Sequence, residues 1–377
     1  MRSARLSDMD PHLCQVAPTM LAALDVPGCT PTLDLPEARR ACLLLIDGLG
    51  WDLLREHADC APVLGSLSAR RLSVGYPATT AAGLAAVGTG VESGEHGMAG
   101  YSFEIPGTGV VNALRWCSHP DGEDLSETLA AEDVQPRATT FERAAAAGVT
   151  TRVVSSAQFD GSALTRAALR GGRYVGVHAL GDLAAGVLDG LRAPRAFVYG
   201  YHADLDLAGH LYGPGSEPWR LQLRQVDRLV ESLVDGLPDE AVLAVVADHG
   251  MVRISETLDL DTAPELSAGV RAFGGEVRAR HVYTEPGAER DVLAAWREVL
   301  GERAWVAGRD EAIADGWFGP RVDDRVRPRI GDVVAAARGT VGLVRASAEP
   351  RETALVGQHG SFTSAERFVP LAVAHTT

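Results

Sequence analysis

Aspartate, histidine and threonine recur beside glycines where apolar runs end, and these residue types can hold metals and attack phosphorus. LLLIDGLG places Asp47 directly after an apolar run, where a carboxylate would sit at the rim of a sheet. SVGYPATTAAGLAAVGTG opens a small-residue helix on Thr79 and Thr80. A helix N-terminus offers unpaired N–H groups and positive potential, which favour a phosphate and an alkoxide nucleophile. The competing reading is a plain threonine cap. In YGYHADLDLAGHLYGP, Asp206 and His210 are four apart, so one helical turn brings carboxylate and imidazole to one face, a pair that suits zinc or a similar divalent ion. Asp204 competes for the carboxylate role. VLAVVADHGM sets Asp248 and His249 behind a buried run, a costly burial unless they are paired or metal-bound. LVGQHGSF adds His359 between glycines. Asp47, Asp206, Asp248, His210, His249 and His359, with a threonine, match a two-metal site with mixed oxygen and nitrogen donors. Two metals about 4 Å apart can clamp the attacking and leaving oxygens of a phosphoryl displacement. The remaining histidines are read as structural or surface groups.

Such a set works only if the elements carrying it share one rim. Short apolar strands are expected at Ala41–Ile46, Val149–Ser155, Arg195–Tyr201, Ala241–Ala247 and Phe368–Val373. Helical patterns lie between them at Thr79–Val91, Thr139–Ala147, Ala179–Leu191 and Glu217–Leu237. The last should bury a stripe of Leu221, Val226, Leu229, Leu233 and Val234. Alternating strands and helices predict an α/β fold: a mostly parallel central sheet with helices on both faces and ligands at the carboxyl ends of the strands. Residues 253–351 read differently, arginine-rich with a strand-like ARHVYTEP and a helix at Ala288–Leu300. They are expected to form a small inserted cap over a core of residues 1–252 and 352–377. Arg278, Arg280, Arg325, Arg327 and Arg329 could face the cleft from it, or pair with Glu276, Asp323 and Asp324 on a solvated surface.

Composition narrows the chemistry. The chain has 377 residues and a net charge of −15, so a nucleic-acid polymer is an unsuitable partner and a small anionic substrate would need a local positive centre. There is no lysine, which excludes a P-loop and any Schiff base. An odd count of five cysteines without a CxxC pair argues against a disulfide framework. The opening MRSARLSDMDPHLCQ has no apolar stretch of leader length, and no window reaches about 18 uninterrupted apolar residues. The expected compartment is therefore the cytoplasm, with no membrane partner.

The ordered set IDGLG, YPATT…VGTG…EHG, DLAGHLYGP, ADHGM and GQHG resembles the alkaline phosphatase superfamily, nearest its nucleotide pyrophosphatase/phosphodiesterase-like branch. The resemblance runs from about Cys42 to Val373 and is weak in the insert. It implies one metal held by Asp206, His210 and His359, and a second by Asp47, Asp248, His249 and the nucleophile hydroxyl. The ions would be zinc, with manganese as the alternative. Alignment on the downstream threonine, Thr89, makes Thr80 the nucleophile rather than Thr79. After Thr80 the family's Phe-Pro-Asn gives way to Ala81-Ala82-Gly83, and its phosphate-binding asparagine falls on Tyr101, whose phenol could donate one hydrogen bond. The activity implied is hydrolysis of a small phosphorylated substrate, a phosphodiester or pyrophosphate in preference to a monoester. A phosphonate hydrolase, a phosphate-transferring mutase and a non-catalytic metal-dependent binding protein are the alternatives. The Cys/Ser-x-Pro-x-Arg motif of sulfatases is missing.

Overall fold

The computed structural model describes residues 10–377. The start of the N-terminal stretch read above for a leader, residues 1–9, lies outside the described residues. Along the chain run β1 (Arg40–Ile46), β2 (Ser68–Ser73), β3 (Thr150–Ser156), β4 (Arg173–Val177), β5 (Ala196–His202) and β6 (Ala241–Val246). The insert then adds β7 (Val270–Glu276), β8 (Ala279–Thr284), β9 (Ala304–Gly308) and β10 (Val333–Ala337), before the final strand β11 (Phe368–His375).

The central sheet is seven-stranded in the order β2-β11-β6-β1-β5-β3-β4. All its pairings are parallel except those of β11, which runs against both β6 and β2. Every residue of β6, and all of β1 after Arg40, is buried on both faces of the pleat, so both sheet faces are covered. This is the mostly parallel α/β fold expected from the apolar runs. Edge strands β2 and β4 carry charged residues and no apolar run, which is why the pattern did not announce them.

The register makes the rim level. Ile46 of β1 lies opposite His202 of β5, and Leu45 lies opposite Val246 of β6. The loops leaving β1, β5 and β6 therefore start side by side, and the segment entering antiparallel β11 arrives at the same end. Helix α1 (Thr80–Thr89) packs behind this rim, and α2 (Asp204–Tyr212) rises directly from β5. Helix α3 (Glu217–Asp235) starts on a Ser216 cap with proline in its first turn. Its buried face is Trp219, Leu223, Val226, Val230 and Leu233, with Leu229 beside them. Leu221 is instead 51% exposed, because it falls out of phase with that 3.6-residue stripe.

The insert carries a four-stranded antiparallel sheet, β7-β8-β10-β9, covered by the helix Glu289–Leu300 through Val292, Trp296 and Leu300. Its neck is closed where Val252–Arg253 pairs antiparallel with Gly357–Gln358. No helix among the described residues is long and apolar enough to cross a membrane.

Candidate metal centre and active-site cleft

Asp47 follows β1 and is 3% exposed. Its Oδ2 accepts a short hydrogen bond from the Tyr201 hydroxyl of β5, and its Oδ1 lies 3.3 Å from His249 Nε2. Gly48 follows with φ +73°; a Cβ there would stand 2.9 Å from Asp206 Oδ1, so only glycine lets the two carboxylates approach. Asp248 and His249, just past β6, are wholly buried. The Gly48 and His249 backbone amides donate to Asp248 Oδ1 at 3.3 and 3.1 Å. On α2, Asp206 turns inward with its Oδ2 3.2 Å from His210 Nε2, while Asp204 is exposed. The helical turn thus separates the two competing aspartates. His359, ahead of β11, stacks on His249 with ring centroids 3.5 Å apart.

The three imidazoles share one arrangement. Nδ1 of His210 donates to the Gly357 carbonyl at 2.7 Å, that of His249 to Gly250 at 3.0 Å, and that of His359 to Ala78 at 2.9 Å. Fixing Nδ1–H on a carbonyl leaves each Nε2 lone pair facing the cluster, the tautomer that metal ligation requires. Three buried carboxylate oxygens, Asp47 Oδ1, Asp206 Oδ1 and Asp248 Oδ2, have no hydrogen-bond partner among the described residues. Burial and the neighbouring Asp47 carboxylate push the Asp248 carboxyl well above its ordinary range. Converging carboxylates with free oxygens in a buried setting are costly without cations. Ligand atoms fall into two groups, Asp206–His210–His359 and Asp47–Asp206–His249, each within 4.8 Å. Asp206 belongs to both, and Asp248 Oδ2 stands 3.7 Å from His249 Nε2. This donor set fits two divalent ions.

The two threonines have different partners. Thr79 caps α1 through its backbone only, because its hydroxyl donates to Glu276 Oε2 of the insert at 2.9 Å. Thr80, the first residue of α1, points its Oγ1 at His249 Nε2, 3.2 Å away. The Ala81-Ala82-Gly83 sequence has a steric reason: a Cβ on Gly83 would lie 2.4 Å from the Asp248 Cβ, so α1 can pack on the centre only without one. A cleft of about 290 Å³ opens over these groups, lined by Thr80, Tyr101, Asp206, His210 and His359, and walled by Leu114, Glu276, Val277, Arg351, Glu352 and Gln358 among others. Tyr101 is in the wall, with its hydroxyl donated to Glu352 Oε1 at 2.8 Å. A larger hollow of about 760 Å³ lies at the opposite end of the strands, between Arg39, Arg195 and Glu240, away from every one of these ligands.

The arginine cluster is corrected. Arg278 is fully buried and pairs with Glu366, and Arg280 is fully buried and pairs with Glu349, each at 2.7 Å. Neither reaches the cleft. Arg329 donates to the Gly97 and Val134 carbonyls, Arg325 to Val134 and Glu95, and Arg327 pairs with Asp310. Arg278, Arg325 and Arg329 fasten the insert to the core, while Arg280 and Arg327 pair within the insert. The partners differ largely from the Asp323, Asp324 and Glu276 suggested by sequence proximity; only Arg325 keeps Asp323, at 3.7 Å. Glu276 and Arg351, which do line the cleft, escaped the sequence reading as site residues. The signal available for Glu276 was charge at alternate positions, Glu276, Arg278 and Arg280, in an otherwise apolar strand region.

The sequence profile of the type I phosphodiesterase/nucleotide pyrophosphatase family matches residues 41–362. The chain belongs to that family. Membership in the type I phosphodiesterase/nucleotide pyrophosphatase family makes it a phosphoester hydrolase of a metal-dependent class. Murine ectonucleotide pyrophosphatase/phosphodiesterase 5 superposes with a TM-score of 0.68 at 16% identity, covering 90% of this chain and 88% of that one. Phosphonoacetate hydrolase from Sinorhizobium meliloti 1021, in complex with phosphonoacetate, gives 0.68 at 21% identity, covering 91% of each chain. At these identities the likeness concerns the fold. No curated protein matches the chain by sequence.

Proposed function

We propose that the chain hydrolyses phosphodiester or phosphoanhydride bonds with Thr80 as nucleophile, at a centre of two divalent ions. The observation that carries this is Thr80 Oγ1 at 3.2 Å from His249 Nε2, where Thr80 lines a cleft together with Asp206, His210 and His359. Asp206, His210 and His359 would hold one ion; Asp47, Asp248, His249 and Thr80 the other. Three imidazole nitrogens mixed with four oxygen donors suit zinc, with manganese as the alternative. When bound, such ions lower the proton affinity of a hydroxyl nucleophile and offset charge on the attacking and departing oxygens.

The chain's own contribution is position. The Thr79 hydroxyl is committed to Glu276, so it neither competes with Thr80 nor caps the helix. The first-turn amides of α1 therefore stay uncapped by a side chain, and their positive end favours charge developing on the phosphoryl group. Attack by Thr80 Oγ1 in line with the departing oxygen forms a phosphothreonine linkage, which water then cleaves. Among the described residues that line the cleft the only arginine is Arg351, so a monoester dianion would find a single guanidinium for its second charge, which favours diesters.

A substrate panel tests the reading: bis(p-nitrophenyl) phosphate, p-nitrophenyl phosphate, nucleotide pyrophosphates and phosphonoacetate, each with zinc or manganese. Metal-dependent turnover highest on diesters or pyrophosphates is expected. Metal-independent turnover would contradict the centre, and preference for phosphonoacetate would move the assignment to phosphonate hydrolysis.

A further inference from the structure

One wall of the cleft has no part in the hydrolytic step. Pro350–Thr353 forms a single helical turn at the carboxyl-terminal border of the insert, and its Arg351 lines the cleft with Thr80, Leu114, Val277 and Leu355. The backbone on both sides of Arg351 is held. Glu349, 3% exposed, accepts from Arg280 Nη1 at 3.0 Å and lies 3.1 Å from His119 Nε2. Glu352 takes the Tyr101 hydroxyl on its side chain, and the Gln358 amide donates to its carbonyl at 2.7 Å. The Arg351 side chain itself is exposed and makes no hydrogen bond or ion pair with another described residue. A fixed backbone thus presents an uncommitted guanidinium to the cleft, while Arg278 and Arg280 are paired internally with Glu366 and Glu349.

We propose that Arg351 binds an anionic group, a carboxylate or a second phosphate, that the substrate carries beyond the reacting phosphorus. The proposal rests on the hydrolase reading only for which atom reacts. Three observations point to an anion. The chain carries a net charge of −15, so an anion reaching this cleft needs a local positive partner. A guanidinium offers a planar fork that matches carboxylate and phosphate oxygens. The acidic group beside it, Glu352, is turned onto the wall by Tyr101, and Glu276 is held at the floor by Thr79. A cleft of about 290 Å³ is small enough for one compact substrate to touch both the floor and the Arg351 wall.

The test measures binding in the Thr80→Ala protein incubated with zinc, so that turnover does not enter. The probes are phenyl benzylphosphonates whose benzyl ring carries hydrogen, a 4-carboxylate or a 4-phosphonate. At low salt the better charged probe should bind about tenfold tighter than the uncharged one, as one charge-assisted contact provides. Adding Arg351→Gln should bring that ratio to near one, and Arg351→Lys should restore part of it. Whichever charged probe gains more identifies the anion. A ratio near one before Arg351 is changed, or a ratio that survives Arg351→Gln, overturns the proposal. The wild-type protein is assayed alongside with a p-nitrophenyl ester of each acid. If it hydrolyses none while the binding ratio behaves as expected, the hydrolase reading falls and the Arg351 site stands.

Discussion

At the scale of single residues, two adjacent threonines divide their labour by what each hydroxyl touches. Thr79 is spent on Glu276 and Thr80 faces the cluster of imidazoles and carboxylates. Thr80→Ala should therefore lower kcat by about 10³-fold or more, the scale of losing a nucleophile. Thr79→Ala removes only a hydrogen bond to the insert and should cost far less. Steady-state kinetics on one diester, with metal content checked in both variants, decides between them; equal losses would contradict the division. Tyr101 shows what substitution at a family position does. Its hydroxyl is 2.8 Å from Glu352 and serves the cleft wall, so Tyr101→Phe should change KM for a diester more than kcat.

At the scale of elements, most of what builds the rim was legible in the sequence. β1, β5 and β6 are apolar runs that give way to Asp47, His202 and Asp248, and an acidic or imidazole residue at the end of a buried strand is a visible break in pattern. α2 was legible from the four-residue spacing of Asp206 and His210. What stayed hidden was pairing across long sequence distances. Arg278 and Glu366 are 88 residues apart, and nothing local in either segment distinguishes a buried pair from two solvated charges. That pair joins the insert to the turn before β11. Breaking it with Arg278→Met should cost about 3–5 kcal/mol, since it leaves Glu366 buried and unpaired. The double variant Arg278→Met/Glu366→Leu should recover much of the loss, as denaturant titration would show. The close fit of α1 gives a second element-level expectation. Gly83→Ala would force a methyl against Asp248, 2.4 Å from its Cβ, and should lower metal content and activity together. Elemental analysis after gel filtration measures the first directly.

At the scale of the whole molecule, burial of neutral imidazoles sets an acid limit on stability. His281 is fully buried, with Nε2 donating to the Ala99 carbonyl and Nδ1 accepting from the Gly331 amide. Burial holds its pKa down at about 4, against an ordinary value of 6.5. Burial also lowers His12 to about 4 and His96 to about 3. Such groups bind protons more readily when unfolded, so their contribution is complete above pH 6.5 and lost as pH falls from there towards 4. Thermal unfolding across that range should show a falling Tm, and His281→Gln should flatten the slope; an unchanged slope would dismiss His281 as a contributor. On the proposed function, the fold serves to bring Thr80 and six side chains able to ligate metal from distant segments to one rim. The stereochemical course at phosphorus tests that most directly. With a diester made chiral by sulfur and oxygen isotopes, a covalent step on Thr80 followed by water requires two inversions, so the account predicts net retention of configuration. Net inversion would mean that water attacks phosphorus directly, and would contradict the role given to Thr80.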